Sequence, residues 1–321
     1  MSSPQQDLIG MARSIGFRVP FWIQGGGGNV SLKANSELWI KASGTRIDQM
    51  TVEKGIAVVD LFKFQKGFAS LLTEPDGDER ESRYSHLLTD CQMSTIPGQR
   101  PSMETGFHAL LPGQRIYHFH SLASLAMAQL SYRAEVTDLV QDCNLTVDFI
   151  SLARPGVNLT AAVIENNQAD IYLLESHGVI LQGKDEKTLE LWQDIETRFL
   201  KSVTESPMSA LNKFAQTSVT EAMKNLGGKI QFIWKNYFPD AAVFEKDILR
   251  TFGGPQNEVK LSIHTWEEIQ RRGDLKVAGW FEVALASYLL GKLIPTLPEL
   301  PEIFAESLVV LPTEKFRQVQ S

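Results

Sequence analysis

The sequence predicts an α/β layered domain. Two observations carry this: short strand-like runs alternate with segments of helical apolar spacing, and the breaks between them fall at Gly, Asn, Ser or Pro. Residues 5–17 place Leu8, Met11 and Ile15 at helical spacing. Gly25 to Gly28 interrupts the chain, and Asn29–Lys33, Glu37–Lys41 and Gly55–Leu61 follow as strands. Residues 74–83 (EPDGDERESR) read as a polar turn and surface loop. Glu104–Leu111 reads as a short helix stopped at Pro112, with Ser102 a candidate N-cap. Arg115–His120 alternates as a strand does, and Ser121–Leu130 is small and apolar at helical spacing. Ile171–Leu174 and Val179–Leu181 are strand-like, with His177-Gly178 between them. Asp185–Val203 carries an amphipathic stripe of Leu189, Trp192, Ile195 and Phe199, with Asp185 as its N-cap.

A break near Glu205-Ser206-Pro207 divides the chain. Residues 1–205 are expected to form a catalytic domain, and residues 206–321 a smaller C-terminal extension that makes oligomer contacts or a lid. The extension has a helical stretch to Leu226 and loops at Gly227-Gly228 and Gly253-Gly254-Pro255. Its segment 292–302 (KLIPTLPELPE) holds three prolines and cannot be one helix.

Composition bounds the function. With 321 residues, 43% hydrophobic and 21% charged, a packed core forms and wholesale disorder is excluded. Thirty-one basic against 38 acidic residues, net charge -7, disfavour a nucleic-acid partner. The two cysteines, Cys91 and Cys143, form no CxxC pair and read as reduced thiols. The opening MSSPQQDLIG lacks a basic region before an apolar run, so no signal peptide is expected. Val277–Leu290 is interrupted by Gly279 and Glu282 and is too short to span a bilayer. A cytoplasmic protein without a membrane partner is the expectation.

Three motifs carry chemistry. In His118-Phe119-His120, residues two apart on a strand share a face, so both imidazoles can reach one ion. Neutral imidazole suits zinc and neighbouring divalent metals; alone, the pair is a weak signal. Glu175-Ser176-His177-Gly178 sits between two apolar runs, where a histidine beside a glycine can project from a sheet edge; the plain alternative is a turn histidine. Pro101-Ser102-Met103-Glu104 opens a helix, and Glu104 either complements the helix dipole or serves a site. Three histidines with one carboxylate are the inventory of a catalytic metal centre, the carboxylate acting as base or fourth ligand. The Gly25–Gly28 run is not a dinucleotide fingerprint: Val30 stands where a third glycine is required and no strand precedes it. Close approach of main-chain N–H groups to an anion explains such a run, and Lys41-Ala42-Ser43-Gly44-Thr45 offers further donors for a phosphate or carboxylate.

In this order the motifs resemble the class II aldolase/adducin superfamily. Gly27-Gly28-Asn29-Val30-Ser31 is similar to its glycine-asparagine-x-serine loop, and Trp39 to Gly44 to its strand ending in serine-glycine. Pro101-Ser102-Met103-Glu104 is similar to its proline-serine-serine-glutamate motif. His118-Phe119-His120 and Ser176-His177-Gly178 are similar to its HxH and asparagine-histidine-glycine motifs. The GGGGN run, the ETGFHALLP wording, Tyr237–Phe244 and Thr313–Arg317 most resemble the aldolase part of bifunctional rhamnulose-phosphate aldolase/short-chain dehydrogenase proteins. No dehydrogenase part is expected within these 321 residues.

The resemblance implies a three-layer α/β/α sandwich around a mixed, largely antiparallel sheet. It implies a divalent metal, usually zinc, on His118, His120 and His177, with Glu104 as acid/base. It implies a substrate phosphate held by Gly28, Asn29, Ser43, Gly44 and Ser102, and a homotetramer with sites between subunits. Two departures bear on the substrate: Met103 replaces the second serine, and Ser176 stands where asparagine is common. The expected reaction is metal-dependent retro-aldol cleavage of a ketose phosphate. Epimerisation, decarboxylation and dehydration use the same site chemistry. Two other readings are a metal-free adducin-like scaffold, separated by metal content, and a metal hydrolase, separated by ester hydrolysis. His108 is expected to pack or support rather than ligate, and His86 and His264 to lie on the surface.

Overall fold

The computed structural model describes residues 3–18, 20–93, 99–203, 218–295 and 297–311. The first helix, α1 (Pro4–Gly16), is capped by Ser3 and Gln6 in a capping box and buries Leu8, Met11 and Ile15, the stripe expected from spacing. Seven strands then form one sheet: β1 (Asn29–Ala34), β2 (Glu37–Lys41), β3 (Ile56–Asp60), β4 (Arg115–Phe119), β5 (Val147–Ile150), β6 (Ile171–Leu174) and β7 (Gly178–Gly183). Their order is β3-β2-β1-β4-β7-β6-β5. Every pairing is antiparallel except β5 with β6, as the sequence resemblance implied.

The strands are apolar on both sides because both faces are covered. On β4, Ile116 packs with Phe107, Leu159 and Val163 of α4 (Thr105–Leu110) and α7 (Val157–Ile164). Its neighbours Tyr117 and Phe119 pack in the main core, with α1, α5 (Leu122–Met127) and α8 (Lys187–Ser202). Likewise Leu38 and Ile40 of β2 meet Phe64, Phe68, Tyr84 and Leu88 from α2 (Leu61–Leu71) and α3 (Asp78–Asp90). The result is helix, sheet, helix. Between α5 and β5 runs α6 (Arg133–Asp142).

One local expectation is corrected. Residues 74–83 are not a loop throughout: α3 begins at Asp78, with three acidic residues in its first turn. Its charged surface hid Tyr84 and Leu88 at fourfold spacing, which the helix buries against Phe64 and Phe68 of α2.

The expected boundary near residue 205 lies outside the described residues, as does Thr313–Arg317. Beyond it come α9 (Val219–Asn225), β8 (Lys229–Ile233), α10 (Pro239–Phe252), β9 (Glu258–Ser262), α11 (Ile263–Arg272), α12 (Leu275–Leu293) and α13 (Glu302–Val309). β8 and β9 form a separate antiparallel pair. Phe238, Ile248, Phe281 and Leu285 join the same apolar cluster as Leu8, Trp22 and Phe119, so this segment shares the core of the sheet domain. Trp192, Trp234, Trp266 and Trp280 are all buried in it. Among the described residues no helix is long and apolar enough to cross a membrane.

One buried carboxylate ties together the elements that lead to the site. Glu196 of α8 accepts from Trp22 Nε1 at 2.7 Å and from the hydroxyl of Ser121, the N-cap of α5. Burial raises its pKa to about 7, against the pull of Ser121, Trp22 and Arg18. The folded state therefore holds this proton more tightly than the unfolded chain, and the stability it contributes is lost as pH rises from about 4.5 through about 7. Urea titrations are expected to show wild-type stability falling across that window by up to about 3 kcal/mol more than that of Glu196→Gln.

Candidate active site

Three imidazoles and one carboxylate meet where β4 ends and β7 begins. The strand period puts His118 on the face of Ile116, toward α4. His120 follows the end of β4, and His177 precedes β7 in the turn from β6. The antiparallel register sets Phe119 opposite Val179 and His118 opposite Ile180, which draws the three rings together. Their centroids stand 5.0, 5.1 and 5.1 Å apart, a nearly equilateral triangle. Glu104, at the start of α4, closes the group: its Oε1 lies 3.1 Å from His118 Nε2 and 3.5 Å from His177 Nε2.

The donor set fits a divalent cation. One ligating atom from each of Glu104, His118, His120 and His177 lies within 4.8 Å of all the others. The Nε2 atoms of His118 and His120 are 3.1 Å apart. Two nitrogens bound at about 2.0–2.1 Å to one zinc at a tetrahedral angle are separated by about 3.3 Å. His118 Nδ1 donates to the Val179 carbonyl at 2.9 Å, which leaves its Nε2 lone pair facing the centre. Burial, helped by His120 and His118 and opposed in part by Glu104, lowers the pKa of His177 to about 4, so that ring is a neutral donor. Burial alone would raise Glu104; His118 and His177 reverse this and hold its carboxyl well below the usual range. His118 moves the other way, upward, because Glu104 outweighs the cost of burial.

His108 lies outside this set. It is fully buried, with Nδ1 2.7 Å from the Ser31 hydroxyl, and its ring stacks on Phe107, which meets His118 edge-on. Burial holds it neutral. His86 and His264 are exposed.

A cavity opens beside the cluster. Gly28, Ser43, Gly44 and Ser102 line it together with Glu104, His120 and His177. Asn29, the fifth residue expected to hold substrate, pairs with His118 across β1 and β4 and is 1% exposed. Neither polar atom of its side chain has a hydrogen-bond partner. Ser102 is not the cap of a long helix; its hydroxyl accepts from the Glu104 amide at 3.2 Å. Met103 turns its side chain into the apolar core beside the cavity. The nearly buried Lys41 donates to the carbonyls of Gly26 at 3.1 Å and Thr45 at 2.9 Å, and so joins the two glycine-bearing loops.

The glycine run now has its reasons: Gly25 at φ +54° is left-handed, and one close approach comes from the C-terminal segment. Gly28 adopts φ +69°, in the left-handed region. Gly25 lies against Gly279 of α12, where a Cβ on Gly279 would meet the Gly25 Cα at 3.0 Å. A Cβ on Gly27 would stand 2.6 Å from Asp240 Oδ2. Glu282 of α12 accepts from the Gly25 amide at 2.8 Å and from both Arg46 terminal nitrogens at 2.9 Å, clamping the loops on either side of the cavity. Asp240 and Glu282 escaped the sequence reading. Asp240 sits inside the Tyr237–Phe244 stretch that carried part of the resemblance, but nothing local marked it as a site residue.

A model of the Class II Aldolase and Adducin N-terminal domain matches residues 6–191. The chain belongs to this family, and the histidine–glutamate cluster lies within the matched segment. A structure of the N-terminal class II aldolase domain of a conserved Thermoplasma acidophilum protein aligns with TM-score 0.52 at 21% identity. It covers 64% of this chain and 95% of that one. The L-fuculose-1-phosphate aldolase structure from Thermus thermophilus aligns at TM-score 0.40 and 18% identity, over 62% of this chain and 95% of that one. The uncharacterized oxidoreductase YuxG of Bacillus subtilis (strain 168) is 26% identical over 212 residues, 60% of this chain. The match spans only 28% of YuxG, which fits the aldolase–dehydrogenase pairing of the branch this sequence resembles.

The turn that presents His177 is conformationally demanding. Gly178 has φ +139°, and a Cβ there would stand 2.4 Å from the Phe119 carbonyl. Ser176 has φ +54°, a conformation that asparagine adopts at less cost than serine. Gly178→Ala is expected to lower stability by about 2–4 kcal/mol in urea. Ser176→Asn is expected to raise it by about 0.5 kcal/mol.

Proposed function

We propose that this enzyme cleaves a ketose phosphate by retro-aldol chemistry at a zinc ion held by His118, His120 and His177, with Glu104 as acid/base. The observation that carries the reading is the convergence of three imidazole nitrogens and one ionised carboxylate at ligand spacing, beside a cavity of glycine, serine and lysine. When bound, the cation supplies Lewis-acid stabilisation for negative charge that develops on substrate oxygen as the carbon–carbon bond breaks. Glu104 is kept ionised by His118 and His177 and so can accept a hydroxyl proton and return it to carbon. Its side chain is only 12% exposed, which limits competition from water.

The anion subsite rests on a second observation. A buried amide with both polar atoms unsatisfied costs roughly 1–3 kcal/mol for each group left unmatched. Asn29 is such a residue, and it directly follows Gly28, which with Ser43, Gly44 and Ser102 offers backbone and hydroxyl donors to the cavity. Lys41 adds positive charge beneath the same loops. Residues 1–205 are read as the catalytic domain and 206–321 as an extension that completes it. The working form is read as a cytoplasmic homotetramer, which light scattering on the purified protein tests.

Activity is measured as release of a three-carbon ketose phosphate from a panel of ketose 1-phosphates, with elemental analysis of each protein. Glu104→Gln keeps its three imidazoles; it is expected to retain metal and lose about 10²–10⁴-fold in turnover. His118→Ala is expected to lose both metal and activity. A fully metallated His118→Ala protein, or a metallated wild type that cleaves none of the panel, contradicts the proposal.

A further inference from the structure

We infer that Asp240 is a positioning residue for the metal centre: its carboxylate accepts a hydrogen bond from the His120 Nδ1–H and thereby turns His120 Nε2 toward the ion. The inference rests on the proposed metal site and adds to it a residue outside the segment that defines the family, which ends at residue 191.

The geometry begins with His120. Its Nε2 lies 3.1 Å from His118 Nε2, at the convergence point. Its other nitrogen, Nδ1, is buried, has no hydrogen-bond partner, and faces Asp240 Oδ2 at 3.3 Å. The imidazole is therefore bracketed between the ligand cluster and a carboxylate. A neutral imidazole carries one N–H, and the group beside one nitrogen selects which of the two keeps it. A carboxylate beside Nδ1 places the proton there and leaves the lone pair on Nε2. His118 achieves the same with a carbonyl, through the bond from Nδ1 to Val179. Metal-bound histidines are oriented in this way by carboxylates and carbonyls.

Asp240 also has an ordinary explanation, which the structure weighs against. It lies in the first turn of α10, where an acidic residue complements the helix dipole. Such residues usually keep their charge in water, whereas Asp240 is 1% exposed. Burial of this kind is costly unless the charge has a specific use. The chain has also made room for it: a Cβ on Gly27 would meet Asp240 Oδ2 at 2.6 Å, although Gly27 itself has no positive φ that would demand glycine. A side chain at 27 would crowd this carboxylate and the Gln24 carbonyl. Pro239 and Asp240 both line the cavity, so α10 delivers its first turn to the site.

The test measures zinc affinity of the full chain, stripped of metal and titrated against a chromophoric chelator. Asp240→Leu removes the acceptor and is expected to weaken zinc binding about 10–100-fold. Asp240→Asn keeps an amide oxygen and is expected to lose less. The melting temperature of the metal-free protein separates positioning from a structural role. Positioning shows as a loss of zinc affinity out of proportion to any fall in that temperature; a structural role lowers the temperature and leaves the affinity of the folded protein unchanged. A folded Asp240→Leu protein with wild-type affinity overturns the inference. Should Asp240→Leu fail to fold, Asp240→Asn and ¹⁵N imidazole spectra of the zinc-loaded wild type decide. A protonated Nδ1 on His120 is expected, and a proton-free Nδ1 refutes the assignment. If the wild type binds no divalent metal, the metal reading itself fails, and this outcome is distinct from a metallated wild type whose affinity is indifferent to position 240.

Discussion

The site depends on the register between β4 and β7. His118 is on β4, His120 just beyond it, and His177 on the turn that enters β7. Only the pairing of Phe119 with Val179 puts all three at one corner of the sheet. Because strand side chains alternate, a slip of one residue would send His118 to the opposite face, among the apolar side chains that cover Tyr117 and Phe119. Gly178 holds the register in place, since its backbone passes so near the Phe119 carbonyl that no side chain fits. The Val179 carbonyl in that same pairing then orients His118. One ladder thus supplies the three imidazoles, their spacing and one of their tautomers.

Around this corner the molecule concentrates buried charge. Glu104, Asp240, Glu282, Arg46 and Lys41 are all largely enclosed, and each is tied to a loop or ring of the site. Burying charges is unfavourable unless they are paired and hydrogen-bonded, and removing one partner of such a pair is more damaging than never having had it. The Arg46–Glu282 pair shows what this arrangement achieves. It joins the loop after β2 to α12 and also takes the Gly25 amide, so the glycine run is held at its first residue.

The residues after the family segment are therefore more than a trailing appendage. α10 and α12 bury Phe238, Ile248, Phe281 and Leu285 in the core that also holds α1 and the sheet. From that footing they reach back with Asp240, Gly279 and Glu282 to three separate points on the glycine loop and its neighbours. The alternation of polar and apolar residues showed α12 only as a hydrophobic stretch, and it gave no reason to connect Glu282 with Arg46, 236 positions away.

Much was legible from the chain alone, for local reasons. The strand period made His118 and His120 a pair, and the motif order made Glu104 and His177 their partners. The apolar stripes of α1 and α8 were visible because burial on one helical face leaves a repeating pattern. The start of α3 was hidden because its buried stripe lies under a run of charges. By itself, then, the sequence determined most of the element types, the family and the four side chains that converge at the site, since these are written in spacing and residue chemistry. Tertiary structure alone decided why a side chain at Gly27 would collide, which loops Asp240 and Glu282 reach, and which hydroxyl His108 meets. Those facts arise from contacts between residues far apart in the chain, and spacing within one segment carries no trace of them.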